Sequence, residues 1–342
     1  MPDSIIRTAV ECLLAGELVA LPTETVYGLG ADAANPEAVA RIFAAKGRPA
    51  DHPLIVHLAD AAFLTQWAEN IPQTARDVAA AFWPGPLTVI LKKQPWVPSV
   101  VTGGQDTVGL RVPAHSLTLE LLAAFAQARA PGVAGIAAPS ANRFGRVSPT
   151  TAAHVREELG DEVSLILDGG PCEVGIESTI IDFSRDEPEI LRPGAISPDD
   201  IARVIGVLPR LHSERGTGAC EMPVPRVSGS LAAHYAPLTP LRRVESGALA
   251  GEVKRLVDAG RRVAVLAYSR CATTSLLLHW QTAAPEPAAY AQKLYANLRR
   301  LDALGAEVIL VEELPRDPAW QAIADRIHRA VAGSGAGPGE GA

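Results

Sequence analysis

The chain has 342 residues, 48% of them apolar and 20% charged, which is enough to bury a substantial core and, by length, to form two domains. With 31 Lys and Arg against 38 Asp and Glu, the net charge of −7 offers no overall basic field for a nucleic-acid backbone, so any anion site must be local. Cys12, Cys172, Cys220 and Cys271 form no CxxC pair, which speaks against a zinc knuckle or a disulfide framework and for a reducing cytoplasm.

In chain order, short apolar runs bounded by Gly or Pro read as strands at 18–21, 54–58, 87–91, 107–112, 133–138, 164–168, 178–183 and 189–192. Between the first two lies "NPEAVARIFAAKG", a helix by its punctuation. Asn35 is the expected N-cap, Pro36 opens the first turn, Val39, Ile42 and Phe43 make one apolar stripe, and Gly47 ends it. "SPTTAAHVREELG" repeats the pattern, with Ser148 as the expected cap, Pro149 first and Gly160 last. The alternation predicts an α/β domain with a mixed sheet.

From 208 to 240 the pattern fails. "LHSERGTGACEMPVPRVSGSLAAHYAPLTP" is rich in Pro, Gly and Ser and has no sustained period, so it reads as a linker with a function of its own. Beyond it, "RRVAVLAYS" and "AEVILVEEL" read as strands of the buried parallel kind, with helices at 247–259, 287–304 and 319–332. "GSGAGPGEGA" reads as a disordered tail. The expected division is therefore 1–207, a linker or lid at 208–240, a smaller α/β domain at 241–332 and a tail at 333–342.

Chemistry-bearing residues cluster in five islands after expected strands or helices: "PTETVYG", "KGRPADHPLIVH", "TVGLRVP", "PSANRFGRVSPT" and "GIESTIIDFS…ILRPG". Their arginines suit carboxylate or phosphate, and their hydroxyls and loop N–H groups would complete an anion cradle. Familiar nucleotide and hydrolase signatures are missing. There is no GxxxxGK[ST], no GxGxxG, no GxSxG and no HExxH. The N-terminus carries no basic leader, and no apolar run approaches the roughly 20 residues of a membrane span.

Each candidate also has a structural reading. Lys46 at a helix C-terminus suits the macrodipole, whereas Arg48 beyond Gly47 has no comparable structural reason. His57 shares an alternation face with Ile55 and is either a satisfied core histidine or a ligand group. Thr25 and Ser178 are turn hydroxyls or contacts. Arg111 on a half-buried strand requires an anion, from the protein or from a ligand.

Taken together, "PTETVYGLGA", "KGRPADHPLIVHL", "WPGPLTVIL", "TVGLRVP", "PSANRFGRVSPT", "GIESTIIDF" and "ILRPGAI", in that order over residues 20–195, resemble the threonylcarbamoyl-AMP synthase family. "HYAP" at 234–237 resembles the linker signature of its long form. The resemblance implies a twisted, open mixed sheet with a concave basic cleft, followed by a small Rossmann-like domain. It implies that L-threonine, bicarbonate or CO2, and ATP with its Mg²⁺ give threonylcarbamoyl-AMP and pyrophosphate. A partner transferase would then use the product to form N6-threonylcarbamoyladenosine in tRNA, which this chain would contact indirectly if at all. Carried over by position, Lys46 and Arg48 would be catalytic. Thr25, His57, Arg111, Ala138 and Ser178 would form the threonine pocket. Arg48, His52, Thr107, Ser140, Asn142, Ser148, Arg192 and Tyr235 would hold ATP, with no protein metal ligand. His52 stands where some relatives carry Asn, and Ser228-Gly229 where Pro-Gly is common. The alternatives are a carbamoyl-adenylate-forming enzyme and a double-stranded RNA-binding module.

Overall fold

The computed structural model describes residues 2–212, 224–270 and 274–335. Cys220, Cys271 and most of the expected tail (336–342) lie outside the described residues. The chain divides into two compact units, one of Met1–Phe144 with Pro149–Ser230, the other of Gly145–Ser148 with Leu231–Ala342.

The strands of the first unit are β1 (Val19–Leu21), β2 (Gly28–Asp32), β3 (Ile55–His57), β4 (Leu87–Lys92), β5 (Thr107–Arg111), β6 (Ile136–Ala137), β7 (Leu165–Ile166), β8 (Thr179–Asp182), β9 (Glu189–Arg192) and β10 (Arg210–Leu211). Its helices are α1 (Pro2–Leu14), α2 (Pro36–Lys46), α3 (Leu64–Trp67), α4 (Gln73–Phe82), α5 (Ser99–Thr102), α6 (Ser116–Arg129), α7 (Ala152–Leu159) and α8 (Pro198–Ile205). Among the described residues the strands join in one mixed sheet, ordered β10-β9-β8-β4-β5-β3-β6-β2-β1-β7.

Side chains alternate between the two faces of this sheet, so residue parity decides what each face can do. Ala20, Leu29, Val56, Val89, Leu91, Val108, Leu110 and Ile181 share a face with Val39, Ile42 and Phe43 of α2 in the main core. The opposite face is treated differently at its two ends. Near β1 and β6, Val19, Leu21 and Ile136 are covered by Ile6, Ala9 and Leu13 of α1 and by Leu121, Leu122 and Phe125 of α6. Near β3, β4, β8 and β9, the apolar residues Ile55, Ile90, Ile180 and Leu191 of this face cluster, among the described residues, with Val227, and Val224 packs beside them. Among the described residues no helix contributes to that small cluster, and there the candidate residues gather.

Two local expectations need correction. "TETVYGLG" is not a loop throughout, because Gly28–Asp32 pairs antiparallel with β1, in the register Leu21↔Gly28. A Cβ on Gly30 would lie 2.8 Å from Leu21 and 2.9 Å from Ile136, so this glycine allows strands to pack closely rather than a ligand to approach. The second expected cap also moves. α7 begins at Ala152, with the Thr151 side chain accepting the His154 N–H, and Ser148 and Pro149 precede it. The reason is tertiary: the Pro149 carbonyl accepts the Tyr27 N–H (2.9 Å) and the Thr150 carbonyl the Cys172 N–H (3.0 Å), so neither is free to start a helix.

The second unit holds β11 (Leu241–Val244), β12 (Val263–Ala267), β13 (Leu278–Thr282) and β14 (Val308–Glu312) in the order β11-β14-β12-β13, every pair parallel. Helices α9 (Ser246–Asp258), α10 (Pro287–Asp302) and α11 (Gln321–Gly333) match the expected helices to within two residues at each end. β12 and β14 are buried throughout, as continuous apolar runs require in a parallel sheet, whereas β11 and the part-exposed β13 carry no such signal. Tyr235 belongs to this unit. Its ring is 1% exposed, stacked on Tyr295 (5.7 Å) and under the Arg326 guanidinium (5.3 Å), and its φ of 60° is unusual for a non-glycine residue.

Candidate active site

The site begins with the turn after α2. Asn35 caps the helix by accepting from the Glu37 and Ala38 N–H groups, and Gly47 ends it at φ 61°. That left-handed residue redirects the chain so that Arg48 leaves the helix axis. Lys46, the last helical residue, is buried and donates to the carbonyls of Ser140 (2.6 Å) and Asn142. Burial, with Arg48 nearby, pushes its ammonium well below the usual lysine range. Lys46 therefore ties the 140–142 turn to α2, and two of its three N–H donors are committed to that task.

Parity brings the next group together. Ile55 and His57 of β3, Thr88 and Ile90 of β4, Thr107, Gly109 and Arg111 of β5, and Ser178 and Ile180 at β8 fall on the helix-free end of the sheet face. Arg111 is gripped from three directions. Its Nε donates to the Gly85 carbonyl (3.1 Å), Nη1 to the Thr25 hydroxyl (3.0 Å), and Nη2 lies 2.6 Å from Glu24 Oε1. This last contact brings the charges together without aligning an N–H on the oxygen, since neither atom has a hydrogen-bond partner. Glu24 is itself fixed, accepting the Ala114 N–H at Oε2 (3.1 Å). The anion that Arg111 requires is thus supplied by the protein. Thr25 also shares a hydrogen bond with Thr23 (2.8 Å), so the hydroxyls of "TET" organise Arg111. His57 sits across the β3–β5 register from Arg111 and is buried. Burial and the Arg111 guanidinium push its pKa down to about 3, so the imidazole is neutral at physiological pH. Its Nδ1 has no hydrogen-bond partner. Ala138 is buried beside them, its N–H donated to the Ile55 carbonyl (3.0 Å).

A second network adjoins the first. Ser178 shares a hydrogen bond with Thr88 (2.8 Å) and accepts from Arg192 Nη2 (3.0 Å), while its carbonyl accepts from Arg192 Nε (3.0 Å). Arg192 Nη1 reaches the Ser228 carbonyl (2.9 Å), and Arg48 Nη2 reaches both Ser228 Oγ (3.1 Å) and the Pro53 carbonyl (2.9 Å). Arg226, in turn, donates through Nη2 to the Gly103 carbonyl (2.8 Å) and exchanges hydrogen bonds with Gln105. Val227 fills the apolar floor between these anchors. Thr107 lines a small pocket of about 10 Å³ beside Val227, with Gln105 and Gly109. His52 packs edge-on against Phe144 (5.3 Å), over whose ring Arg48 also lies (6.0 Å). Burial and Arg48 lower the His52 pKa.

Twelve of the residues named from the sequence thus belong to the first unit: Thr25, Lys46, Arg48, His52, His57, Thr107, Arg111, Ala138, Ser140, Asn142, Ser178 and Arg192. Ser148 and Tyr235 belong to the second. Sequence reasoning missed Glu24 and Thr88. Glu24 stands one residue from Thr25 in "PTET", and Thr88 interrupts the apolar run "LTVIL", so each had a weak signal as a polar group in a segment bound for the interior.

Arginines, hydroxyls and a neutral imidazole at the uncovered end of a mixed sheet define a site for a small anionic or zwitterionic molecule. Comparison with known proteins gives the class its family. A family model described as "Telomere recombination" (Sua5/YciO/YrdC) matches residues 11–194, and one described as "Threonylcarbamoyl-AMP synthase, C-terminal domain" matches residues 196–332. The threonylcarbamoyl-AMP synthase of Pyrococcus abyssi is 38% identical over 331 residues, covering 95% of this chain and 93% of that protein. That of Bacillus subtilis is 38% identical over 337 residues, covering 97% and 94%. The crystal structure of P. abyssi Sua5 complexed with L-threonine superposes with a TM-score of 0.82 at 37% identity, over 95% of this chain and 94% of that one. The chain belongs to the threonylcarbamoyl-AMP synthase family, in its two-domain form, and is an ATP-using nucleotidyltransferase of tRNA N6-threonylcarbamoyladenosine formation.

Proposed function

We propose that the chain takes L-threonine at Thr25, His57, Arg111, Ala138 and Ser178, and ATP at Arg48, His52, Thr107, Ser140, Asn142, Ser148, Arg192 and Tyr235. The observation that carries this reading is the hydrogen-bonded path Arg48–Ser228–Arg192–Ser178–Thr88 lying beside Arg111 and His57. It joins two arginines suited to phosphate to the hydroxyl and guanidinium groups proposed for threonine, on one sheet face.

The neutral threonine amine would add to CO2 with loss of a proton to solvent, or to bicarbonate with loss of water, to give a carbamate, whose oxygen displaces pyrophosphate from the α-phosphorus. Such an in-line transfer needs positioning and charge neutralisation more than covalent help. Arg48 and Arg192 would meet the triphosphate. Lys46 would hold the Ser140–Asn142 turn against it, with one N–H donor left to use. Mg²⁺ arriving on the nucleotide would neutralise further charge, and among the described residues no group of three His, Cys, Asp or Glu side chains is placed to hold the ion alone. Hydrogen bonds between His57, Ser178 and the substrate amine and hydroxyl would favour threonine over valine, which would leave buried polar groups unpaired.

Residues 224–230 supply the conformational step. Ser228 already engages Arg48 and Arg192, so this segment would leave them before the triphosphate reaches them, and it would then close over the labile adenylate. The product would pass to a partner transferase acting on tRNA, in the cytoplasm, where ATP and reduced thiols coexist. No described helix is long and apolar enough to cross a membrane.

The test is to incubate the full chain with L-threonine, bicarbonate and Mg·ATP and to seek the mixed anhydride by mass spectrometry. Pyrophosphate release that is indifferent to threonine, with no anhydride, would overturn the reading.

A further inference from the structure

We infer that Glu24 is a specificity-determining residue of the amino-acid pocket, selecting a zwitterion over a plain carboxylate by giving the pocket a fixed ion pair of zero net charge. The inference rests on the proposed threonine site and deepens it.

A buried ion pair, Arg111 Nη2 with Glu24 Oε1 at 2.6 Å, lies on the same sheet face as His57, the register partner of Arg111, whose buried Nδ1 has no hydrogen-bond partner. Buried polar groups in folded proteins are nearly always paired, so the unpaired His57 nitrogen beside this ion pair points to a ligand that reaches all three groups. Their chemistry is specific: one cationic donor, one anionic acceptor and one neutral imidazole nitrogen. A hydroxylated α-amino acid presents the complement, namely a carboxylate, an ammonium and a hydroxyl.

The charges cannot relax away. Arg111 is held by the Gly85 carbonyl and the Thr25 hydroxyl, Glu24 by the Ala114 N–H, and their side chains are only 5% and 7% exposed. Water therefore screens the pair little. An isolated arginine in such a site would attract any small carboxylate. Beside Glu24 its charge is already matched, so an incoming anion gains little unless it also brings a cation for Glu24. The second charge in the pocket thus reads the amino group, which is the atom that must react.

The experiment measures, by calorimetry on the full chain, binding of L-threonine and of 3-hydroxybutanoate, which is threonine without its ammonium group. The wild type should prefer threonine at least tenfold. E24Q, shown by its melt to be folded, should lose at least tenfold in threonine affinity while 3-hydroxybutanoate binds as well or better. E24D should fall between the two. A wild-type ratio of the two affinities in E24Q overturns the proposal. If E24Q does not fold, the wild type decides: 3-hydroxybutanoate binding as tightly as threonine overturns it equally. A wild type that binds neither ligand refutes the threonine site itself, a separate result.

Discussion

The two ends of the site face are built on opposite terms. Around Arg111 every contact is internal to the fold: Gly85, Thr25 and Glu24 hold the guanidinium within a sheet whose register is set by the core beneath. Around Arg48 and Arg192 the partner is Ser228, in a segment that lies within the expected linker of 208–240 and rests on the sheet without belonging to it. One end is finished before substrate arrives, and the other is filled by a piece of its own chain. A small amino acid can be recognised by a preformed pocket, whereas a triphosphate needs an opening large enough to admit it and a cover to exclude water afterwards.

The largest effect expected from this contrast is on stability at the amino-acid end. Arg111→Ala leaves the Glu24 carboxylate buried and uncompensated, and should cost about 3–5 kcal/mol in urea unfolding. A loss below 1 kcal/mol would mean that the pair is not the fixed element described. A smaller effect concerns pH. Because the His57 pKa is about 3 when folded and near its ordinary value when unfolded, the unfolded chain binds the extra proton. The contribution of neutral His57 is therefore complete above about pH 6.5 and is lost as pH falls towards 3, by up to about 1.4 kcal/mol per pH unit. His57→Gln should flatten this part of the profile, and unfolding midpoints of both proteins at pH 5 and pH 7 would reveal it. The smallest effect belongs to the nucleotide end. Ser228→Ala removes the hydroxyl that Arg48 and the Pro53 carbonyl share, worth about 1 kcal/mol, and should tighten ATP binding several-fold while leaving threonine binding alone. Weaker ATP binding would instead make Ser228 a nucleotide contact and dissolve the distinction between the two ends.

Much of this was legible in the chain, unevenly. The cap, stripe and terminator of α2 are local signals, and Asn35, Pro36 and Gly47 occupy the positions expected of them. So are the buried strands β12 and β14, whose apolar runs admit few other uses. β2 was hidden because "GLGAD" has little strand propensity and owes its conformation to β1 and β6 on either side. The start of α7 was misplaced because the Pro149 and Thr150 carbonyls are claimed by Tyr27 and Cys172, contacts that no local window contains. In the site, residue types announced an anion pocket, yet the partner of Arg111 was found 87 positions away in a loop whose hydroxyls drew attention from the carboxylate between them.

By itself the sequence determined the residue chemistry and most of the local punctuation: which helices start and stop where, which strands can be buried on both faces, and which family motifs occur in which order. Tertiary structure alone decided that Arg111 is neutralised by Glu24, that Lys46 braces a turn, and that Ser228 occupies Arg48 and Arg192. The physical reason is range. Caps, turns and alternation are settled within a few residues of backbone, whereas a buried charge takes whichever partner the sheet register and the packing of distant loops bring within hydrogen-bond distance.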